Sequence, residues 1–120
     1  MKLGGESVKD CLFCKIADGD IPSEIIYEDD KVVAFKDVDP QAPVHVLVIP
    51  KDHIESVDDI TSENSYLIAH IFEVINKLAK DLELDKGYRV VNNCKGHGGQ
   101  TVNHIHFHLL GGRQLQWPPG

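Results

Sequence analysis

Three histidines alternate with apolar residues near the end of the chain, in the run His104-Ile105-His106-Phe107-His108-Leu109-Leu110. Because side chains alternate between the two faces of a β-strand, this pattern predicts a strand with one imidazole face and one apolar face. The apolar face is expected to pack on a helix. Three imidazoles would make a poor core, because each ring N–H needs a partner. The imidazole face is therefore expected to meet solvent, a ligand or a metal.

Hydrophobic periodicity and turn residues predict the other elements. A short helix is predicted over 11–17, and a long helix is predicted from apolar residues at helical spacing, with Thr61 or Ser62 as its N-cap. These apolar residues are Leu67, Ile71, Val74, Ile75, Leu78 and Leu82. Strands are predicted over 25–28, 32–36, 44–49, 88–92 and 104–110, the first two as a hairpin turning at 29–31. Residues 94–101 are expected to form a glycine-rich loop.

This element order predicts an α+β fold, with a five-stranded antiparallel sheet, the long helix and the short N-terminal helix. A chain of 120 residues fits one domain. We expect that domain to span 11–120, after a flexible polar lead-in over 1–10. His70, on the long helix, is expected to be a surface or half-buried residue without a role.

Charge and composition narrow the classes of partner. The formal net charge is −7, so the basic excess of a nucleic-acid groove is missing, although a single phosphate can still bind to local donors. The first ten residues contain no apolar run, and no stretch approaches the ~20 apolar residues of a membrane span. Three cysteines without a disulfide-dense pattern indicate a reducing compartment, and the cytoplasm is expected.

The imidazole face has two functional interpretations, besides a purely structural one. Histidines at His-x-His spacing can hold a catalytic metal, or imidazole can act as nucleophile, acid or base near neutral pH. The preceding segment bears on the choice, since glycines at 96, 98 and 99 let backbone N–H groups approach an oxyanion, and Asn93 and Thr101 add donors. Beside three histidines this segment resembles a phosphate cradle, although it lacks the GxxxxGK[ST] pattern.

Two cysteines form a Cys-x-x-Cys pair, Cys11 and Cys14. The pair has three interpretations, as a redox couple, as metal ligands or as small hydrophobic residues. Two ligands alone do not complete a tetrahedral zinc site, so the spacing leaves the choice open.

The histidine run matches the histidine-triad motif, His-φ-His-φ-His-φ-φ, where φ is apolar. The segments 11–16, 35–38 and 43–51 also resemble the histidine-triad family, and the tail GGRQLQWPPG is similar to its Hint branch. The resemblance extends over 11–120. It implies a homodimer whose two sheets continue as one across the two-fold axis.

The resemblance also implies an activity. Hint-like proteins bind purine nucleotides such as AMP or GMP and hydrolyse nucleoside 5′-phosphoramidates. The middle histidine of the triad, here His106, would attack the α-phosphorus and form a nucleotidyl-histidine that water then cleaves. A dinucleoside polyphosphate hydrolase, a non-enzymatic nucleotide-binding module and a small zinc or redox protein are the alternatives.

Roles for single residues follow from the same resemblance. His45 would orient the ring of His106, and Asp37 would accept hydrogen bonds from the ribose hydroxyls. Trp117 would reach the site of the partner subunit. The phosphate donors would be Asn93, the Gly99 backbone, Thr101 and His108. The apolar base pocket, whose members could equally be ordinary core residues, would be Phe13, Ile16, Ile21, Phe35, Val38 and Leu47.

Family members with this Cys-x-x-Cys pair often bind structural zinc, and the corresponding ligands here are Cys11, Cys14, His53 and His104. This set would remove His104 from direct catalysis. Three positions depart from the Hint pattern, since Thr101 stands where many members have Ser, His97 lies in the loop, and Asn103 replaces a commonly apolar residue. These departures bear on the leaving group rather than on the reaction.

Overall fold

The computed structural model describes residues 10–120, so the lead-in predicted over 1–10 lies outside the described residues except for Asp10. The elements in chain order are α1 (Leu12–Ala17), β1 (Ile25–Glu28), β2 (Val32–Lys36), β3 (Val44–Pro50), α2 (Ser65–Asp81), β4 (Tyr88–Val91), α3 (Lys95–Gly98) and β5 (Phe107–Gly111). Among the helices of this part of the chain, none combines the length and the apolarity that a membrane crossing requires.

The strands form one antiparallel sheet in the order β1-β2-β3-β5-β4, which confirms the predicted α+β architecture. β3 lies at its centre, and β5 pairs with β3 on one side and with β4 on the other. The histidine strand is therefore held between two neighbours, and β4 forms the edge next to it.

The core consists of two hydrophobic clusters, one on each face of the sheet. The buried stripe of α2 packs against alternate sheet residues, Val32, Ala34, Val46, Val48 and Leu109 among them. On the opposite face, residues of α1 pack with Val33, Phe35, Leu47 and Ile49. The two sets alternate along β2 and β3 because successive strand side chains point to opposite faces.

α2 begins later than predicted. Its N-cap is Asn64, whose side chain accepts a hydrogen bond from the backbone N–H of Thr61 rather than from the helix. The Thr61 hydroxyl accepts from the N–H of Glu63, so it stabilises the turn that precedes the helix. The predicted capping by Thr61 or Ser62 is therefore wrong.

The glycine-rich segment contains a structured turn that the prediction of a loop did not include. Residues Lys95–Gly98 form a single helical turn, α3. Gly99 ends it in the left-handed region with φ of 82°, which a residue without a Cβ adopts readily.

β5 begins at Phe107, three residues after the start predicted at His104. Two features interrupt the ladder before that point. Pro50 has no N–H to offer across from this segment, and the carbonyl of His106 accepts from the side chain of Asn92 instead of from a strand backbone. The backbone N–H of Ile105 donates to the carbonyl oxygen of Ile54, beyond the end of β3, at 2.6 Å.

The β1–β2 hairpin is tied to α2 by His70. Its Nε2 lies 2.6 Å from the carboxylate of Asp29 at the hairpin turn, and the hydroxyl of Tyr27 donates to the same oxygen at 2.7 Å. The hydrogen bond to Asp29 raises the pKa of His70. Partial burial would raise the pKa of Asp29, but the hydrogen bonds from His70 and Tyr27 hold it well below its usual range. His70 is half-buried as expected, but it joins two elements.

Candidate active site

The triad histidines lie on the sheet face that carries α1, as the alternation predicts. His104 and His106 are 0% and 4% exposed, and His108 is half-buried. The ring of Phe13 stands edge-on to both His104 and His106, with centroids 6.0 and 5.0 Å away. The rings of His106 and His108 are neighbours at 5.1 Å. The residues between them, such as Ile105, are buried against the α2 cluster.

His106 presents an unprotonated nitrogen. Its Nδ1 lies 2.8 Å from the carbonyl oxygen of His104, and because a carbonyl only accepts, Nδ1 carries the proton. The Nε2 of the neutral ring therefore keeps its lone pair. Burial lowers the pKa of His106, against the opposing effects of the His104 carbonyl and the charge of Asp37. A neutral imidazole with a free lone pair can serve as nucleophile or base.

His108 presents a proton, and His45 is the reason. The backbone N–H of Gln41 donates to Nδ1 of His45 at 3.0 Å, which leaves the proton of His45 on Nε2. That Nε2 lies 2.9 Å from Nδ1 of His108, which must accept, so the neutral His108 ring carries its proton on Nε2. This buried Nε2 has no hydrogen-bond partner within residues 10–120. Burial lowers the pKa of His108 to about 4.

The predicted orienting bond from His45 to His106 is wrong, since His45 contacts His108 instead. The strand register gives the reason. His45 lies opposite Leu110 and His108 lies opposite Leu47, so His45 and His108 are diagonal neighbours on one face. His106 is two residues further along that face, and its ring is oriented by the His104 carbonyl.

Asp37 completes the group around His45. One carboxylate oxygen lies 3.4 Å from Nε2 of His45, and the other accepts from the backbone N–H of Asp39 at 2.8 Å. Asp37, His45 and His108 are close enough together to suggest a metal site. The proton that Gln41 forces onto Nε2 of His45 argues against one, because a neutral ligand nitrogen must offer a lone pair. We interpret this group as a hydrogen-bonded relay.

Three of the candidate phosphate donors, Asn93, Gly99 and Thr101, flank the glycine-rich turn in the chain. The prediction is wrong for the Gly99 backbone, because its N–H already donates to the carbonyl of Gly96 at 3.0 Å. Thr101 and Gly99 are exposed, and Asn93 is half-buried. Sequence reasoning missed Asn92, whose Nδ2 donates to the carbonyl of His106 at 2.9 Å and so restrains the backbone of this candidate nucleophile. The only available signal was an Asn-Asn pair at the end of a predicted strand, which does not tell the two side chains apart.

The apolar pocket residues fall into two groups. Four of them are buried together in the α1-side cluster next to the triad: Phe13, Ile16, Phe35 and Leu47. Ile21 packs at the margin of this cluster. Val38 is 97% exposed and lies outside it, and Trp117 is 78% exposed and stacks near the guanidinium of Arg89 at 5.9 Å. The structure thus brings the triad and four pocket residues together, but not Val38 or Trp117.

A candidate metal centre lies at the start of the triad. The ligand atoms of Cys11, Cys14, His53 and His104 all lie within 4.8 Å of one another. Sγ of Cys11 is 3.2 Å from Nδ1 of His104, and Sγ of Cys14 is 3.4 Å from Nδ1 of each histidine. Zinc bonds of ~2.3 Å to sulfur and ~2.0–2.1 Å to nitrogen place tetrahedral ligands about 3.6 Å apart, so the spacing fits.

The protonation of His104 also suits a ligand. Its Nε2 lies 2.8 Å from the carbonyl oxygen of Pro50 and must donate, so the lone pair of Nδ1 faces the two thiols. Burial lowers the pKa of His104 to about 4 and also lowers the pKa of His53, which keeps both rings neutral. A ligand histidine whose second nitrogen donates to a carbonyl is the usual arrangement in metal sites.

Comparison with known proteins places this geometry in a family. The HIT domain family matches residues 18–115. An uncharacterized HIT-like protein of Synechococcus elongatus is 50% identical over 93% of this chain and 98% of its own length. The crystal structure of a HIT family hydrolase from Legionella pneumophila Philadelphia 1 has 52% identity and a TM-score of 0.91, covering 92% of this chain and 100% of that one.

A histidine triad nucleotide-binding protein from Candida albicans is more distant, with 36% identity and a TM-score of 0.78 over 92% of this chain and 85% of that one. The family match includes the whole histidine run and both strands that flank it. The chain therefore belongs to the HIT domain family.

Proposed function

We propose that this protein hydrolyses purine nucleoside 5′-phosphoramidates, with His106 as the nucleophile. One observation carries the proposal, namely that two adjacent imidazoles have opposite protonation. His106 offers a lone pair at Nε2, whereas His108 offers an unpartnered N–H at Nε2. Attack on a phosphate ester or amide needs both a nucleophile and a donor for the oxygen that gains charge.

The reaction has two displacements at phosphorus. In the first, the lone pair of His106 Nε2 forms a bond to the α-phosphorus, and the P–N bond breaks with its electron pair leaving on the amine. The amine departs with a proton that a general acid supplies, since an amide anion is a poor leaving group. In the second, the oxygen of a water molecule forms a bond to the phosphorus as the bond from His106 Nε2 breaks, and the conjugate base left by the general acid takes the proton of the water, which releases the nucleoside monophosphate.

Donors around the turn would stabilise the phosphate oxygens. His108 Nε2–H, the side chain of Asn93 and the Thr101 hydroxyl would fill this role. Asp37 keeps acceptor capacity for the ribose hydroxyls, since each of its oxygens has one partner in the structure. The apolar cluster next to the triad would receive the purine at its margin, near Ile21.

We further propose that the protein is a homodimer of the Hint type. β4 is an edge strand, and Tyr88 at its start is exposed. An unpaired strand edge favours pairing with another chain, and a second β4 would continue the sheet across a two-fold axis. The tail lies along this edge, since Arg89 donates to the carbonyl of Gln116, so Trp117 would reach the partner's site.

We propose zinc as the metal of the Cys₂His₂ group, in a structural role. Two thiolates and two neutral imidazoles complete a closed tetrahedral set, and no disulfide joins Cys11, Cys14 or Cys94, as the proposed reducing compartment requires. Bound zinc would supply folding stability at this position. Metal analysis is expected to give one zinc per chain, and Cys14→Ser to lower both the zinc content and the melting temperature. Metal-free protein with unchanged stability would disprove the assignment.

Release of AMP from adenosine 5′-phosphoramidate tests the activity. His106→Ala should abolish turnover, whereas His97→Ala, which removes an exposed histidine from the same region, should not. Quenching during turnover should reveal a chain heavier by one nucleotidyl group, and this adduct should be missing in His106→Ala. Turnover that survives His106→Ala would refute the nucleophile, and faster cleavage of diadenosine polyphosphates would indicate the related hydrolase class. AMP binding without turnover would indicate a binding module.

A further inference from the structure

The side chain of Gln100 makes three hydrogen bonds inside the protein and uses both of its N–H donors. Its Oε1 accepts from the backbone N–H of Lys95 at 2.8 Å. Its Nε2 donates to the carbonyl of Glu55 at 2.6 Å and to the carbonyl of Val102 at 3.0 Å. An amide has two N–H donors, so both are engaged and only this orientation of the amide satisfies all three contacts.

These contacts join three separate segments. Lys95 opens the helical turn α3, Glu55 follows the candidate metal ligand His53, and Val102 precedes the triad by two residues. Gln100 therefore ties the glycine-rich turn both to the segment after β3 and to the approach of the histidine run. The backbone N–H of Gln100 also donates to the Lys95 carbonyl at 3.0 Å, so a hydrogen bond connects the two ends of the turn.

The turn needs these hydrogen bonds because its backbone conformation is energetically unfavourable. Lys95 has φ of 59°, in the left-handed region that costs a non-glycine residue of order 1–3 kcal/mol. Among residues 10–120, the turn also makes an ion pair between Lys95 and Asp58, whose side chains are 68% and 57% exposed. Exposed ion pairs hold geometry weakly, so the amide of Gln100 is the principal restraint.

We propose that Gln100 is a positioning residue for phosphate recognition. Gly99 and Thr101 are its neighbours in the chain, so neither can shift without disturbing the three hydrogen bonds of its side chain. Gln100 thereby holds the Thr101 hydroxyl in place toward the phosphate that His106 attacks, at the end of a turn that the N–H of Gly99 closes by donating to the Gly96 carbonyl at 3.0 Å. This inference rests on the proposed phosphoramidate hydrolysis.

Gln100→Glu is the sharpest test, because it keeps the size and the acceptor for Lys95 but removes both N–H donors. We expect kcat to fall by about 10- to 100-fold, since small misplacement of reacting groups has effects of this order. KM should change by less than about threefold, because base and ribose contacts lie elsewhere. Asp58→Asn, which removes the exposed ion pair of the same turn, is the control and should leave kcat unchanged.

A double-mutant cycle with Thr101→Ala separates positioning from general destabilisation. If Gln100 acts through its neighbours, Gln100→Glu should lower kcat much less in the Thr101→Ala background than in the wild type. Fully additive effects, or a loss of kcat that follows the melting temperature alone, would overturn the proposal.

Amide hydrogen exchange provides a readout without substrate. Exchange at the hydrogen-bonded N–H groups of Gly99 and of residue 100 should accelerate in Gln100→Glu, while exchange at Leu109 in the sheet stays unchanged. If the wild type lacks turnover, the proposed reaction fails, but faster exchange confined to the turn still supports the structural part of the inference. Unchanged exchange at Gly99 and at residue 100 would refute it.

Discussion

Replacement of His108 by leucine should separate stability from function. The buried Nε2–H of His108 has no partner within residues 10–120, while its Nδ1 accepts from His45. The proposed reaction gives that N–H a partner only when a phosphate oxygen is bound. In the protein without ligand, it is a buried donor left unsatisfied.

The structure sets the size of the effect. An unsatisfied buried donor costs about 1–3 kcal/mol, and a neutral hydrogen bond contributes about 0.5–1.5 kcal/mol. His108→Leu removes one of each, so the free energy of unfolding should change by between about −0.5 and +2.5 kcal/mol. His45 keeps an acceptor, because its Nε2 lies 3.4 Å from the carboxylate of Asp37.

Binding should respond in the opposite direction. A hydrogen bond to a charged phosphate oxygen contributes about 1.5–3 kcal/mol, so His108→Leu should weaken AMP binding by about 10- to 150-fold. Urea denaturation and calorimetric titration with AMP measure the two quantities, and His97→Leu serves as the exposed control. A loss of more than about 2 kcal/mol of stability, with AMP binding unchanged, would show that His108 is structural and that its N–H is not a phosphate donor.

Two further changes test the framework around the site. Asn92→Asp keeps the shape but removes the donor to the His106 carbonyl, so it should destabilise the protein by about 1–3 kcal/mol and lower kcat more than it raises KM; equal stability and activity would refute the role of Asn92. His70→Gln should lower the melting temperature most between about pH 4 and pH 6.5. The pKa of His70 is raised above 6.5, so its contribution is complete below that pH and is lost as pH rises; the pKa of Asp29 is lowered below 3.8, so its contribution is lost in acid. Glu73 and the nearby Lys77 also face this cluster, and a pH-independent difference in melting temperature would refute the linkage.

The fold could be predicted because its signals are local and periodic. The alternation around His106 assigns each side chain to a face, and helical spacing identifies the buried stripe of α2. Such patterns can be recognised within one segment, without knowledge of the elements that it packs against. The start of β5 could not be predicted, because it depends on Pro50 and Asn92, which lie on other strands or just beyond them.

The histidines of the candidate site could be predicted better than the hydrogen bonds between them. The motif pointed to His106 and His108, and the family resemblance pointed to His45. The diagonal relation between β3 and β5 decides which of these rings are hydrogen-bonded to each other. The amino-acid sequence alone does not determine strand register. The predicted hydrogen bond from His45 was therefore assigned to His106, two residues along the strand from its actual partner His108. Gln41 acts through its backbone N–H, which any residue except proline could supply. Asn92 acts through one of two adjacent side-chain amides. Neither contact has a recognisable sequence pattern.

His104 links the candidate metal centre, which contains its ring, to the candidate nucleophile His106, which its backbone carbonyl contacts. Its ring directs Nδ1 toward Cys11 and Cys14 because Nε2 donates to Pro50, and its carbonyl fixes the proton of His106 on Nδ1. A displacement of the His104 ring would move its backbone, and with it the carbonyl that selects the protonated nitrogen of His106. The first histidine thus orients the ring of the second through its backbone carbonyl, while its own side chain lies in the candidate metal centre. A substitution at His104 should therefore impair catalysis although its ring contacts no substrate.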